Sequence, residues 1–305
     1  MNITRLDRRR IKDILKVCEL SFDSNFHINE ASIYKKLFEC EDFYEDASAQ
    51  ALDDDGTLLG FIGVKVSKDF QNYPDTAWIN LFAVLPKVRN KGIGTELLSY
   101  STNKLKEIGI KRIYIGQDYV NFFSGIPSPS ETVINFFKNN GFIINDANHY
   151  DLEADITSND KIDSFNPKIF VNKYHTSTYN GEYKELMAFL SAEFPGRWEY
   201  EAKEAIAKGK KSEEIVLLWS NTSESIVGYC MLSKNNSSYG GLGPIGIAKS
   251  VRGNHVGDYI LWCSLLQLRK LGIQTVNIDW TILKDFYGQF GFIPERIYRG
   301  AYKDI

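Results

Sequence analysis

Little in this chain offers the chemistry of metals or disulfides. Its 305 residues include four cysteines, Cys18, Cys40, Cys230 and Cys263, scattered with no Cys-x-x-Cys pair. The four histidines are equally dispersed. Neither set has the close spacing of a zinc site, so no metal is expected. Unpaired cysteines at such intervals fit reduced, partly buried thiols in a cytoplasmic protein. A run of about 18 apolar residues is also missing, so no membrane-spanning helix and no membrane partner are expected. The N-terminus, MNITRLDRRRIKDILKV, is basic, but charges interrupt its apolar residues. It lacks the apolar centre of a signal peptide and reads as the start of a domain. Charge of one sign is scarce too. With 36 basic and 39 acidic residues and a net charge of -3, no nucleic-acid partner is expected.

What is present is an internal repeat. Val84 to Leu98 reads VLPKVRNKGIGTELL, and Ile247 to Leu261 reads IAKSVRGNHVGDYIL. At one constant separation Arg89 aligns with Arg252, Gly94 with Gly257, Gly109 with Gly272 and Ile115 with Ile278. Both copies run on to an aromatic pair and a Gly-Phe: Phe136-Phe137 before Gly141-Phe142, and Phe286-Tyr287 before Gly291-Phe292. A repeat of this length implies two copies of one domain, each of about 150 residues. The expected boundaries are 1–154 for the first domain, 155–167 for a polar linker and 168–305 for the second.

Hydrophobic periodicity fills in the elements. In the first copy it predicts a strand over 3–6, helices near 8–20 and 30–39, a hairpin of 47–52 and 57–66, and a strand over 77–84. A helix over 94–108, a strand over 111–116 and a helix over 131–140 follow. The second copy repeats the order: a strand over 169–173, helices over 182–191 and 203–208, and a hairpin of 215–219 and 226–232. Then come a strand over 243–247, a helix over 257–271, a strand over 275–279 and a helix over 282–290. Asn235 to Gly241 reads as a turn.

The repeated unit is an extended segment, an Arg/Gly loop and a helix. N–H groups converging at a helix start suit a phosphate-bearing ligand. Arg89-Asn90-Lys91-Gly92-Ile93-Gly94 resembles the acyl-CoA loop of the GNAT acetyltransferase superfamily, (Gln/Arg)-x-x-Gly-x-(Gly/Ala). The order of elements and the terminal aromatic-xxx-Gly-Phe agree, twice, over nearly the whole chain. The resemblance implies a mixed α/β fold class: two tandem GNAT folds, each a mostly antiparallel splayed sheet flanked by helices. It implies acetyl-CoA as cosubstrate and a small-molecule amine as partner. The cofactor-binding positions carried over are Val84 and Arg89 to Gly94 in the first copy. In the second they are Gly246, Ile247, Arg252, Gly253, Asn254, His255, Val256 and Gly257. His255 replaces the first loop glycine there, a departure from the pattern.

The copies differ in chemical equipment. In the superfamily a Tyr on the last helix often protonates the departing thiolate, and a carboxylate or water chain takes the amine proton. Tyr287 stands at the acid position of the second copy, where the first has Phe137. Asp279 ends the strand before that helix, where the first copy has Gly116. Asp279 and Tyr287 are therefore the expected catalytic pair. Tyr287 also fits a packed core residue, and Asp279 a turn cap. The first half is expected to bind CoA without catalysing. Glu193 to Trp198 lies where the superfamily builds its acceptor site, so Arg197, Trp198, Asp279 and Trp280 are expected to bind substrate. With GLGPIGI before the loop and the terminal FYGQFGF, the second half resembles the tandem glucosamine/glucosaminide N-acetyltransferases of bacterial cell-wall recycling. Other acceptors (an aminoglycoside, a polyamine, an amino acid, a thiol precursor) and a non-catalytic CoA-responsive binding module stay open from the residues.

Overall fold

The structure, a computed structural model, describes residues 1–305. Strand β1 (Asn2–Arg5) leads into helix α1 (Ile11–Ser21), which buries Ile11, Ile14, Val17 and Cys18 at helical spacing. Helix α2 (Glu30–Ile33) starts at a reciprocal cap. The Asn29 side chain accepts from the Ser32 N–H, and Ser32 Oγ accepts from the Asn29 N–H. Strands β2 (Ala49–Leu52) and β3 (Leu58–Val66) form the expected hairpin, and β4 (Thr76–Val84) lies antiparallel to β3. After them come α3 (Ile93–Glu107), β5 (Arg112–Ile115), the short β6 (Ile126–Pro127), α4 (Glu131–Asn139) and β7 (Ile143–Asp155).

The second series begins with α5 (Asp160–Asp163), β8 (Tyr174–Thr178), α6 (Tyr183–Glu193) and α7 (Arg197–Ala207). It continues with β9 (Ile215–Ser220), β10 (Ser225–Lys234), β11 (Tyr239–Ile247) and α8 (Val256–Lys270). Strand β12 (Thr275–Thr281), α9 (Lys284–Gly288) and β13 (Ile293–Asp304) complete it. No helix is long and apolar enough to cross a membrane.

The chain divides into two compact units, and the division does not follow the repeat. One unit is Met1–Tyr150 together with Arg296–Ile305; the other is Asp151–Glu295. In the first unit the strand order is β1-β2-β3-β4-β5-β13. Strand β13 pairs antiparallel with β5, Tyr302 facing Tyr114 and Asp304 facing Arg112. Tyr298 and Ala301 of β13 are fully enclosed in the first unit's core. In the second unit the order is β12-β11-β10-β9-β8, and the end of β7 lies beside β12. There Asn277 Nδ2 donates to the Leu152 carbonyl at 3.3 Å. Each unit thus takes an outer strand from the other's stretch of sequence. The segment expected as a linker holds α5, capped by Asn159.

One parallel pair in each unit opens the sheet. β4 runs parallel to β5 only as far as Ile79 opposite Ile115. Beyond that point Asn80 to Val84 keep β3 alone as a ladder partner. The β3–β4 register shifts between Gly63 and Val64, which leaves Asn80 as the extra residue of a bulge. The second unit repeats the device. β11 is parallel to β12 through Gly241 opposite Asn277, and the β10–β11 register shifts between Cys230 and Leu232. Two strands that separate leave backbone groups facing a gap, and this gap is where a ligand can pair with the chain.

Three expectations fail locally. The strand expected over 169–173 lies instead at Tyr174–Thr178, because Asn166 and Pro167 make a capped single turn at Pro167–Ile169. Pairing of Thr176 with Leu218 fixes the true register. Gly240 and Gly241, expected in a turn, are paired residues of β11. The second helix of the second unit starts at Arg197, not near 203, so Arg197 and Trp198 are helical residues rather than loop residues.

Candidate active site

Both Arg/Gly loops have the same construction. Arg89 Nε donates to the Val84 carbonyl at 3.0 Å, and Arg252 Nε donates to the Ile247 carbonyl at 3.3 Å. Each arginine folds back five residues and ties the loop to the end of its central strand. The loop then enters α3 or α8 through a left-handed residue. In the first unit this is Gly92, at φ +83° with nothing within 4 Å of where a Cβ would stand. In the second it is His255, at φ +57°. Its Nδ1 lies 2.8 Å from Asp258 Oδ2, and its side chain is largely exposed. Neither long helix has a side-chain cap at its start. By contrast, α4 is capped by Ser130. First-turn N–H groups left without a side-chain acceptor are suited to an anion such as a pyrophosphate.

Gly94 has a second reason to be glycine. A Cβ there would stand 3.0 Å from the Phe136 ring, which lies across the start of α3. Gly257 faces Phe286 from the same side, but there a Cβ would stand at an ordinary contact distance of 3.6 Å. The terminal aromatic pair of each copy therefore covers the loop helix of its own copy.

In the first unit these parts line a cleft of about 1030 Å³. Arg89, Gly92 and Gly94 stand at its loop end; Asn80, Phe22 and Phe123 are also among its walls. Phe137 borders it and is buried against Phe82, Phe136 and Phe142. Beside the β4 bulge lies a charged cluster that sequence reasoning missed. Lys65 is fully buried and donates to Asp118 Oδ1 at 2.8 Å and to the Val120 carbonyl at 3.1 Å. Asp42 Oδ1 is 3.6 Å from the same ammonium. Burial alone would lower the Lys65 pKa, but Asp118 and Asp42 outweigh it and the net shift is upward. Burial raises Asp42. A lone lysine inside LLGFIGVKV was the available signal, but its partner sits on a distant loop.

In the second unit the Glu193–Trp198 segment joins the loop to the strand end. A Glu193 carboxylate oxygen accepts from the Lys249 N–H at 2.9 Å. Phe194 stacks on Trp198 with ring centroids 4.6 Å apart, and the Arg252 guanidinium lies 5.9 Å from the Phe194 ring. Both rings press on Gly246, where a Cβ would come within 2.4 Å of Phe194 and 2.9 Å of Trp198. Arg197 pairs with Glu201 at 2.9 Å and lies over the Trp280 ring at 4.6 Å. Asp279 is exposed beside Trp280. Tyr287 is buried, with the Thr281 hydroxyl as partner; burial pushes its phenol well above the usual range. A phenol in that state holds its proton throughout the neutral range.

Residues 14–142 match the Acetyltransferase (GNAT) family. This segment is a GNAT acetyltransferase domain. No curated protein sequence matches the chain. Among solved structures, the chain resembles a glucosamine N-acetyltransferase region in a fungal multi-domain GH3 beta-N-acetylglucosaminidase. The TM-score is 0.85 at 21% identity, over 99% of this chain and 38% of that one. The chain therefore spans well under half of the fungal protein. A GCN5-related N-acetyltransferase from Sphaerobacter thermophilus matches at TM-score 0.77 and 12% identity, over 99% and 95% of the two chains. A tandem GNAT protein from the clavulanic acid biosynthesis pathway matches at TM-score 0.64 and 13% identity, over 99% and 98%. At these identities the likeness shows the fold, and that fold is a tandem GNAT fold. Residues 14–142 are thus a GNAT-family domain within a chain of tandem GNAT fold.

The GNAT frame also exposes a residue that the repeat hid. Asp151 is buried, and its Oδ1 accepts from the Trp280 N–H at 3.1 Å. Trp280 is held at φ +48°, a conformation uncommon for a bulky side chain. Asp151 belongs to the first copy by sequence and to the second unit by structure. The only signal was YDLEAD, whose acidic residues alternate at strand period.

Proposed function

We propose that this GNAT protein transfers the acetyl group of acetyl-CoA to the primary amine of an amino sugar, with turnover in the second half. The observation that carries this reading is the contrast at one position. Tyr287 is a buried, protonated phenol beside Thr281, whereas Phe137 has no proton to give. The uncapped start of α8 and the loop Arg252 to Gly257 suit the CoA pyrophosphate. Gly246 pairs with Tyr229 of β10, and the next N–H, that of Ile247, lies on the side of β11 that β12 has left and polarises the thioester oxygen. Asp279 accepts the proton of the amine, which attacks the acetyl carbonyl directly. Tyr287 Oη donates a proton to the leaving sulfur.

Two features support an amino sugar. Asp279, exposed beside Trp280, draws a cation toward that indole, one face of which Arg197 covers. The fungal region of similar fold is a glucosamine N-acetyltransferase region. A cytoplasmic role in cell-wall recycling accords with that acceptor. In the first half Arg89 to Gly94, with Val84 at the strand end, hold a second CoA.

Mass spectrometry of products from glucosamine, glucosamine oligomers, polyamines and aminoglycosides tests the acceptor. Glucosamine should gain one acetyl group on nitrogen, and N-acetylglucosamine should not react. Asp279→Asn should slow the reaction at neutral pH, with a deficit that shrinks as pH rises and the free amine loses its proton unaided. If polyamines react and no amino sugar does, the sugar assignment falls and the acetyltransferase stands.

A further inference from the structure

The backbone at Trp280 breaks the pleat of β12 between two residues of the second-half site. In an unbroken strand Asn277, Asp279 and Thr281 share one face. Here Asp279 is exposed, while Asn277 and Thr281 are buried. Trp280 stands between Asp279 and Thr281 at φ +48°, far from the φ of an extended strand. The break accounts for a carboxylate turned out to solvent two residues before a hydroxyl that stays inside. That hydroxyl, Thr281 Oγ1, is the partner of the Tyr287 phenol and accepts from the Leu283 N–H at 3.0 Å. A bulky residue in the left-handed region persists only where its surroundings hold it.

The first copy has the same break with a different hold. Gln117, the counterpart of Trp280, stands at φ +69°. Its N–H donates to the Phe123 carbonyl at 3.0 Å, in the long loop between β5 and β6. That carbonyl leaves no room for a side chain one position earlier, because a Cβ on Gly116 would come within 2.1 Å of it. In the second copy β12 is followed almost at once by α9, and the acceptor comes from β7 instead. Asp151 is 4% exposed, and its Oδ1 accepts from the Trp280 N–H at 3.1 Å. That N–H belongs to the peptide joining Asp279 to Trp280, so the tether acts on the bond that leaves the Asp279 α-carbon. The indole is held as well. Arg197 lies over it at 4.6 Å and is itself paired with Glu201 at 2.9 Å. One conformation thus recurs at one position of both copies, and only the version held by a side chain carries a carboxylate beside it.

We propose that Asp151 is a positioning residue for acetyl transfer: by accepting from the Asp279–Trp280 peptide, it holds the break in β12 that aims the Asp279 carboxylate at the amine. Asp151 acts through Asp279 and exchanges no proton of its own in the reaction. A general base works only within hydrogen-bond reach of the proton it takes, so a small displacement lowers turnover and leaves cosubstrate binding alone. This deepens the function given above and rests on its assignment of Asp279 as the base.

The test is steady-state kinetics of the full-length chain with acetyl-CoA and an amine that the parent acetylates, glucosamine in the first instance. Asp151→Ala should lower kcat about tenfold or more, with the acetyl-CoA KM within about twofold of the parent's. In an Asp279→Asn background the same change should add almost nothing, because the two residues act as one unit. Asp151→Asn keeps an oxygen in place to accept and should recover most of the loss. Asp151→Glu keeps the charge but moves the oxygen by a methylene, and should recover less. That pair carries the test even where the alanine variant does not fold. The proposal is overturned by parent-like turnover in Asp151→Ala, by a loss that adds in full to that of Asp279→Asn, or by Asp151→Glu more active than Asp151→Asn. Asp279→Asn as active as the parent is a different result: it overturns the base assignment itself, with Asp151 unchanged.

Discussion

The two halves have kept opposite parts of one machine. The first has glycine at the left-handed loop position and an open cleft, but Phe137 and Gly116 at the positions whose counterparts, Tyr287 and Asp279, are proposed as proton donor and acceptor. The second has His255 in the loop, held by Asp258, and aromatic rings pressed on its central strand. It nevertheless keeps Tyr287 and Asp279. Holding an anion uses backbone N–H groups, so it tolerates a change of side chain at the loop provided the left-handed turn survives. Histidine is among the non-glycine residues that reach this region more readily. Proton transfer uses side-chain atoms, and no backbone substitute exists for a missing phenol. The proposed division, with CoA held in both halves and turnover in the second, follows from this difference.

The comparison breaks most severely if β13 is removed. A chain ending at Glu295 deprives the first unit of the strand paired with β5 and of Tyr298 and Ala301 from its core. Hydrogen exchange should show protection lost across β4, β5 and α4, while α8 and β9 to β11 stay protected. Equal loss in both would mean that the units do not fold separately.

Lys65→Met comes next. It leaves Asp118 fully buried without its cation, a change expected to cost about 3–5 kcal/mol. Urea unfolding should show it in the first unit's transition only.

Tyr287→Phe makes the second half resemble the first at its acid position. Turnover should fall about 10- to 1000-fold with acetyl-CoA affinity little changed. The reverse exchange, Phe137→Tyr, should bring no gain in turnover, because Gly116 still offers no base. Activity equal to the parent's in Tyr287→Phe across pH 6 to 9 would show that the halves do not differ as argued.

The smallest effect is a pH dependence. Burial raises the Asp42 pKa from its ordinary 3.8. Between that value and the raised one, the folded protein binds more protons than the unfolded chain. Stability therefore falls as pH rises through this window. Asp42→Asn should remove that decline, so its urea midpoint should gain on the parent's from acid toward neutral pH. A constant difference between the two at all pH values would contradict the assignment.

Much of this was legible from residues alone, and the reason is local. The Arg/Gly loops, the long helices after them and the hairpins are fixed by turn chemistry and by periodicity within a few residues. Phe137 opposite Tyr287 can be read by aligning the copies. The misplaced strand near 169 shows the limit. Pro167 and Asn166 were visible, but the strand's position was set by pairing with β9. The start of α7 was hidden in the same way, because Pro195-Gly196 signalled a loop and the helix resumes at once after it.

By itself, the sequence determined the repeat, the GNAT order of elements within each copy, the loop positions and the exchange of Tyr287 for Phe137 between the copies. Each of these is written in residue type and spacing. Tertiary structure alone decided that β13 completes the first unit and that the end of β7, with Asp151, serves the second. It also decided that Lys65, Asp118 and Asn80 meet beneath a bulge. A strand's alternation specifies which face is buried but not which strand it pairs with. A buried charge likewise finds its partner across a long interval of chain. Both are decided only when the whole sheet has formed.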